Sequence, residues 1–212
     1  MYLMKLLNEE LGIKNLLLLD IDDTILKANN IFVYKKTEDG KKIALTPEEY
    51  SKEKVTKENK HMYDYSEFRD PSKVSKSIET GTPLVNNLKV MDKYIQNGYS
   101  IGLLTARSEE DVIFTAISKF LKFRDFKGEL KKLGPRLQRS LVFAINDEKK
   151  KYEGTTDYEK KAWVIFSLAK KYDNIVFLDD DMKNINSVNE LKKSLKEKGE
   201  QKLANKITAI KV

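Results

Sequence analysis

The chain has 212 residues, a formal net charge of +7, 40% hydrophobic residues and 34% charged ones, a balance that suits a single globular domain and excludes a wholly disordered chain. Cysteine is absent and His61 is the one histidine, which excludes disulfides, thiolate zinc sites, iron–sulfur clusters, cysteine nucleophiles and multi-histidine metal sites. Chemistry is left to carboxylates, lysines, arginines and hydroxyls, and a metal here must be hard and oxygen-bound, Mg2+ before others.

Met1–Leu11 reads as a helix stopped by Gly12; it carries Glu9 and Glu10 and no small-residue cleavage site, so no signal peptide is expected. The apolar run Leu16–Leu19 ends in Asp20 and predicts a strand buried on both faces. Ile31–Tyr34 and Ile43–Leu45 flank Glu38-Asp39-Gly40 and predict a β-hairpin. Thr46-Pro47-Glu48-Glu49 combines an N-cap, a first-turn proline and a glutamate at the third position, so a helix should start there. His61–Gly81 shows no clear period and reads as irregular. Thr82-Pro83 is expected to open a helix that Gly98 closes.

Tyr99–Leu104 predicts a second apolar strand ending at Thr105, followed by a helix capped through Ser108-Glu109-Glu110-Asp111. Leu141–Ile145 reads as a third strand. Thr156-Asp157-Tyr158-Glu159 is a capping box opening a helix to about Tyr172. Ile175–Leu178 reads as a fourth strand ending in Asp179-Asp180-Asp181, with a helix to about Lys198 and a fifth strand over Ile207–Val212. Strands alternating with helices after Thr82 predict an α/β fold with a parallel sheet covered on both faces. The inserted hairpin and small cap region, Lys27–Gly81, must then sit over one end of the sheet. No apolar run approaches the length of a membrane span, and a cytoplasmic location with no membrane partner is expected.

Sites in open parallel sheets form beyond the carboxyl ends of the strands. Here the first strand ends in Asp20-Ile21-Asp22-Asp23-Thr24, the second in Thr105-Ala106-Arg107 and the fourth in Asp179-Asp180-Asp181, while Lys160 and Lys161 start the intervening helix. Converging carboxylates repel unless a divalent cation neutralises them, and that cation also screens a phosphate from an anionic nucleophile. One carboxylate can attack phosphorus, a second can protonate the leaving oxygen and later activate water, and a hydroxyl and a lysine can bind the phosphoryl oxygens.

On these residues the chain resembles the haloacid dehalogenase-like (HAD) phosphatase superfamily. Asp20-Ile21-Asp22-Asp23-Thr24 looks like its Asp-x-Asp-x-Thr motif, Ile101–Thr105 like the second motif, Lys160 like the helical lysine and Phe177-Leu178-Asp179-Asp180 like the acidic fourth motif. The resemblance implies a Rossmannoid three-layer sandwich over residues 1–212. The first strand would be central, flanked by the second and third on one side and the fourth and fifth on the other. It implies Asp20 as nucleophile and metal ligand, Asp22 as general acid/base with its carbonyl on the metal, Thr105 and Lys160 as phosphate-binding groups, and Asp179 and Asp180 as ligands of Mg2+. Lys161 is the rival of Lys160, since one residue of register exchanges them, and Asp181 leaves the acidic register open. Thr24 is grouped with the substrate-binding residues.

The region Val85–Arg107 looks like the second-motif region of polynucleotide 3′-phosphatases and many phage-encoded members, where an arginine placed as Arg107 is sits near the phosphate. The resemblance therefore implies a Mg2+-dependent phosphomonoesterase acting on a nucleotide or nucleic-acid end. A sugar-phosphate or other small-metabolite phosphatase is the alternative within the class, and a catalytically silent nucleic-acid or partner-binding module the alternative outside it. No Gly-x-x-x-x-Gly-Lys-Ser/Thr P-loop occurs, so these residues hold no kinase of that type.

Charge is uneven: Lys119–Arg139 holds eight basic and two acidic residues, with Phe120, Phe123 and Phe126 between them. That window reads either as a nucleic-acid patch or as a solvated helix face with its phenylalanines in the core. Lys149-Lys150-Lys151 follows the third strand at the expected active-site end and is a candidate contact to a nucleic-acid backbone. Tyr63, Tyr65, Phe68 and Arg69 in the insertion are candidates for stacking or phosphate contacts, and His61 reads as a surface residue.

Overall fold

The computed structural model describes residue 12 and residues 14–56, 58–123 and 137–212. The expected N-terminal helix Met1–Leu11 and most of the basic window, including Phe126, lie outside the described residues.

A five-stranded parallel sheet forms the centre. Its strands are β1 (Asn15–Leu19), β7 (Ser100–Thr105), β8 (Leu137–Ala144), β9 (Asn174–Asp179) and β10 (Ile207–Lys211), in the order β10-β9-β1-β7-β8. All four pairings are parallel, and β1 lies in the middle as expected. β1 is buried along its whole length because alternate leucines serve opposite faces. Leu17 and Leu19 enter one core cluster with Val74, Leu88 and Ile113, while Leu16 and Leu18 enter the other with Ile165 and Val188.

Helices cover both faces and complete a three-layer α/β sandwich. One face carries α2 (Pro71–Glu79), α3 (Val85–Gln96) and α4 (Glu110–Phe123); the other carries α5 (Asp157–Ala169) and α6 (Met182–Glu197). The short α1 (Pro47–Ser51) belongs to the insertion, and α7 (Gln201–Asn205) precedes β10. The capping boxes of α1 and α5 form as read, Thr46 accepting from Glu49 N and Thr156 from Glu159 N. Among the described residues, no helix is long and apolar enough to cross a membrane.

The insertion departs from expectation in two places. His61–Gly81 is mostly ordered: two short 3-10 turns and the strand β5 (Tyr63–Asp64) lead into α2. Asp70 caps that helix by accepting from Ser72 N and Lys73 N, with Pro71 in its first turn. Thr82-Pro83 does not open a helix. It forms the strand β6 (Thr82–Pro83) against β2 (Leu26–Lys27), and Leu84 N donates to Ile25 O, so the backbone is drawn into pairing before α3 begins. The hairpin, β3 (Val33–Lys36) with β4 (Lys42–Leu45), gains β5 as a third strand. The helix expected after Ser108 starts at Glu110 with Glu110 and Asp111 in its first turn, and the Ser108 hydroxyl donates to Phe68 O at 2.8 Å, tying the core to the insertion.

Candidate active site

β1 and β9 are adjacent and parallel, so Asp20 and Asp179 emerge side by side; Asp20 N donates to Leu178 O at 3.0 Å. One oxygen from each of Asp20, Asp179 and Asp180 lies within 4.8 Å of the others. Lys161 Nζ donates to Asp20 Oδ1 at 3.0 Å and to Asp179 Oδ2 at 2.8 Å, with its side chain only 2% exposed. Asn184 donates to both Asp179 oxygens, at 3.0 and 2.9 Å, and Asp181 N donates to Oδ1 at 2.8 Å. Asp179 is thus held by four donor contacts. Asp181 caps α6 by accepting from Lys183 N, which gives the third consecutive acid a structural role.

Burial raises the Asp20 carboxyl well above its ordinary pKa; Lys161 opposes that, and the carboxylates of Asp179 and Asp22 reinforce it. Asp180 is pushed up to about 6 by burial and then by Asp179 and Asp23. Burial works against the charge on Lys161, but Asp179 and Asp20 outweigh it and hold its pKa above the ordinary lysine value. The cluster is short of positive charge and offers only hard oxygen donors, which fits a divalent cation of the Mg2+ kind on Asp20, Asp179 and Asp180.

The Asp-x-Asp-x-Thr segment turns sharply. Asp23 adopts φ 53°, a region Asp tolerates better than most residues, while Ile21 O accepts from Ile25 N and Leu26 N. The turn buries Thr24 completely. Its hydroxyl donates to Asp180 Oδ1 at 3.3 Å and accepts from Asp180 N at 3.1 Å. Thr24 therefore joins these two segments internally and is spent on Asp180, with no exposed surface for the substrate contact expected of it.

Asp22 faces a different partner. Arg107 Nε and Nη2 donate to its two oxygens at 2.8 and 2.7 Å, and Arg107 Nη1 donates to Ser77 Oγ at 2.8 Å. Arg107 is 1% exposed, and its guanidinium carbon lies 5.7 Å from the Phe68 ring centre. Its charge-assisted fork fixes the Asp22 carboxylate, making Arg107 a positioning group where the sequence pointed to a phosphate contact. Thr105 is buried at the end of β7 and accepts from Arg107 N at 3.3 Å, two residues past the Leu19–Leu103 pair.

Lys160 and Lys161 diverge because successive helical residues point about 100° apart. Lys161 reaches the carboxylates, whereas Lys160 donates to Asn146 Oδ1 at 2.8 Å. Lys160 lines a cleft of about 590 Å³ between the insertion and the strand-end loops, to which Asp22 and Arg107 also contribute. Within the Lys149-Lys150-Lys151 run, Lys149 pairs with Glu109, Lys150 pairs with Glu110, and both Lys150 and Lys151 line the cleft. Tyr65, Phe68 and Arg69 reach the cleft, Tyr63 is buried behind Tyr50, and His61 is exposed. Sequence reasoning missed Ser77, Asn146 and Asn184, single polar residues on helices or loops with no motif to mark them.

A scan of protein-family models, a search of curated proteins and a search of solved structures each returned no match to the chain.

Proposed function

We propose that the chain is a Mg2+-dependent phosphomonoester hydrolase acting through an aspartyl-phosphate on Asp20, with a nucleotide or a nucleic-acid 3′-end as its substrate. The observation that carries this reading is the cluster of Asp20, Asp179 and Asp180, with Lys161 bonded to the first two and Asp22 held separately in the wall of a cleft. The HAD-like order of motifs along the chain supports it. When bound by Asp20, Asp179 and Asp180, Mg2+ would supply charge neutralisation that lets an anionic phosphate approach an anionic carboxylate.

Asp20 attacks phosphorus with one carboxylate oxygen while Lys161 orients the side chain. Thr105 offers its hydroxyl to the phosphoryl oxygens. On the motif resemblance Asp22 is the acid that passes a proton to the leaving oxygen as the P–O bond breaks, and to carry that proton it releases one oxygen from the Arg107 fork. Asp22, now a carboxylate steadied by Arg107, which Ser77 holds in turn, takes a proton from water; that water attacks phosphorus, frees phosphate and restores Asp20. The chemistry suits the cytoplasm, where Mg2+ and phosphomonoesters abound.

Hydrolysis of nucleoside 3′-monophosphates, 3′-phosphorylated oligonucleotides and sugar phosphates, with and without Mg2+, tests the reading. Turnover of the nucleotide substrates that needs both Mg2+ and Asp20 is the expected result. Preference for sugar phosphates would move the substrate assignment to small metabolites, and no turnover of any phosphomonoester would remove the hydrolase.

A further inference from the structure

Asp22 is one of the walls of the 590 Å³ cleft, and Asp20, Asp179 and Asp180 are not. A general acid must touch the leaving oxygen, so on the hydrolase reading the group leaving with that oxygen lies in the cleft. The volume falls within the range of small-molecule sites and exceeds what a phosphate alone needs.

The walls carry aromatic rings, six cations and four carboxylates, the last being Asp22, Asp147, Glu148 and Asp157, so cations outnumber acids. Tyr50, Tyr65 and Phe68 come from the insertion, and Tyr152 from the loop after β8; all four are partly exposed. Tyr50 and Tyr65 meet edge to face with ring centres 5.6 Å apart, and their hydroxyls bond at 2.8 Å, which fixes both rings. Lys60, Arg69 and Lys151 line the same cleft, are exposed, and make no ion pair among the described residues. Neighbouring cations are neutralised, Arg107 by Asp22 and Lys150 by Glu110. Fixed aromatic walls suit a flat ring, and unpaired cations beyond the reacting centre suit a second anion.

We infer that this cleft is the leaving-group subsite and takes a nucleoside whose base lies against the aromatic walls and whose second phosphate meets Lys60, Arg69 and Lys151. The inference rests on the hydrolase reading for its orientation. A free nucleoside 3′,5′-bisphosphate and the terminal nucleotide of a 3′-phosphorylated oligonucleotide share this chemistry, since each has a phosphate on both sides of the sugar.

The experiment is calorimetric titration of the full chain carrying Asp20→Asn, with Mg2+ present, so that ligands bind without turnover. Adenosine 3′,5′-bisphosphate should bind about tenfold or more tighter than adenosine 3′-monophosphate, the gain expected of a charge-assisted contact. Adding Lys60→Gln, Arg69→Gln and Lys151→Gln together should bring that ratio close to one. Tyr65→Leu should weaken both nucleotides by about fivefold or more through lost stacking. Circular dichroism verifies that each variant is folded. A 3′-phosphorylated oligonucleotide binding tighter than the bisphosphate, with a steeper salt dependence, names a nucleic-acid end as the source; equal binding names the free nucleotide. A wild-type ratio near one, or a ratio the triple change does not move, overturns the subsite. Wild-type hydrolysis of 4-nitrophenyl phosphate separates the two readings. Turnover with a flat ratio removes the subsite alone, and the expected ratio without turnover removes the hydrolase and leaves a nucleotide site.

Discussion

At the scale of single residues, the two adjacent lysines meet different partners, and the proposed hydrolase would use Lys161 for chemistry and Lys160 for recognition. Lys161→Met leaves the Asp20 and Asp179 carboxylates facing each other without the cation that bonds both. Breaking such a buried pair costs about 3–5 kcal/mol, and loss of an oriented charge at the reacting group lowers kcat about 100-fold or more. Lys160→Met removes a cleft contact bonded to Asn146 and should act mainly on KM. Steady-state kinetics with both variants, beside thermal melts, checks the contrast; a larger kcat loss at Lys160 would reverse the assignment. The residue types of the site were legible in the sequence, because carboxylates at strand ends have few other uses. The choice between Lys160 and Lys161 was not, since it depends on the rotation of α5 against the sheet. The partner of Arg107 was equally hidden: 85 residues separate it from Asp22, and the fork forms only when β1 and β7 lie side by side.

At the scale of elements, local signals held where the hydrogen bonds were local. The Thr156–Glu159 capping box set the start of α5, and hydrogen bonds from the Thr155 side chain, then from the Thr155 and Thr156 backbone, lower the Glu159 pKa from its ordinary 4.5 to about 2. A carboxyl depressed in the folded state adds stability above its unfolded value and loses it as pH falls toward the folded value. The melting-temperature deficit of Glu159→Ala should therefore be full at neutral pH and shrink between about pH 4.5 and pH 2, by thermal melts against pH. A deficit independent of pH would contradict the cap's ionic character. Thr82-Pro83 carries a weaker helix signal, a hydroxyl and a first-turn proline with Val85 where the capping box has a glutamate, and pairing with Leu26–Lys27 overrides it. Strand packing offers a second prediction at Gly102, where an added Cβ would lie 2.8 Å from Leu141 O and 2.8 Å from Leu18 Cδ2. Gly102→Ala should destabilise the fold by about 1–3 kcal/mol through overpacking, measurable by urea unfolding.

At the scale of the whole molecule, the sheet order β10-β9-β1-β7-β8 gathers three strand ends into one rim, and the insertion leans over that rim through Ser108–Phe68 and Arg107–Ser77. The alternation of strands and helices made the layered fold legible. The course of the insertion was not, because its anchors to the core are long-range bonds between residues that no periodicity links. Asp20 lies in the buried acidic cluster beside Lys161, and Asp20→Asn keeps its shape while removing the charge with which the proposed hydrolase would attack. Hydrolysis of 4-nitrophenyl phosphate by wild type and Asp20→Asn, each with Mg2+ and after exhaustive chelation, reads that charge directly. Turnover confined to the Mg2+-loaded wild type is the expected result; undiminished turnover by a folded, uncontaminated Asp20→Asn, or by the metal-stripped wild type, would contradict it.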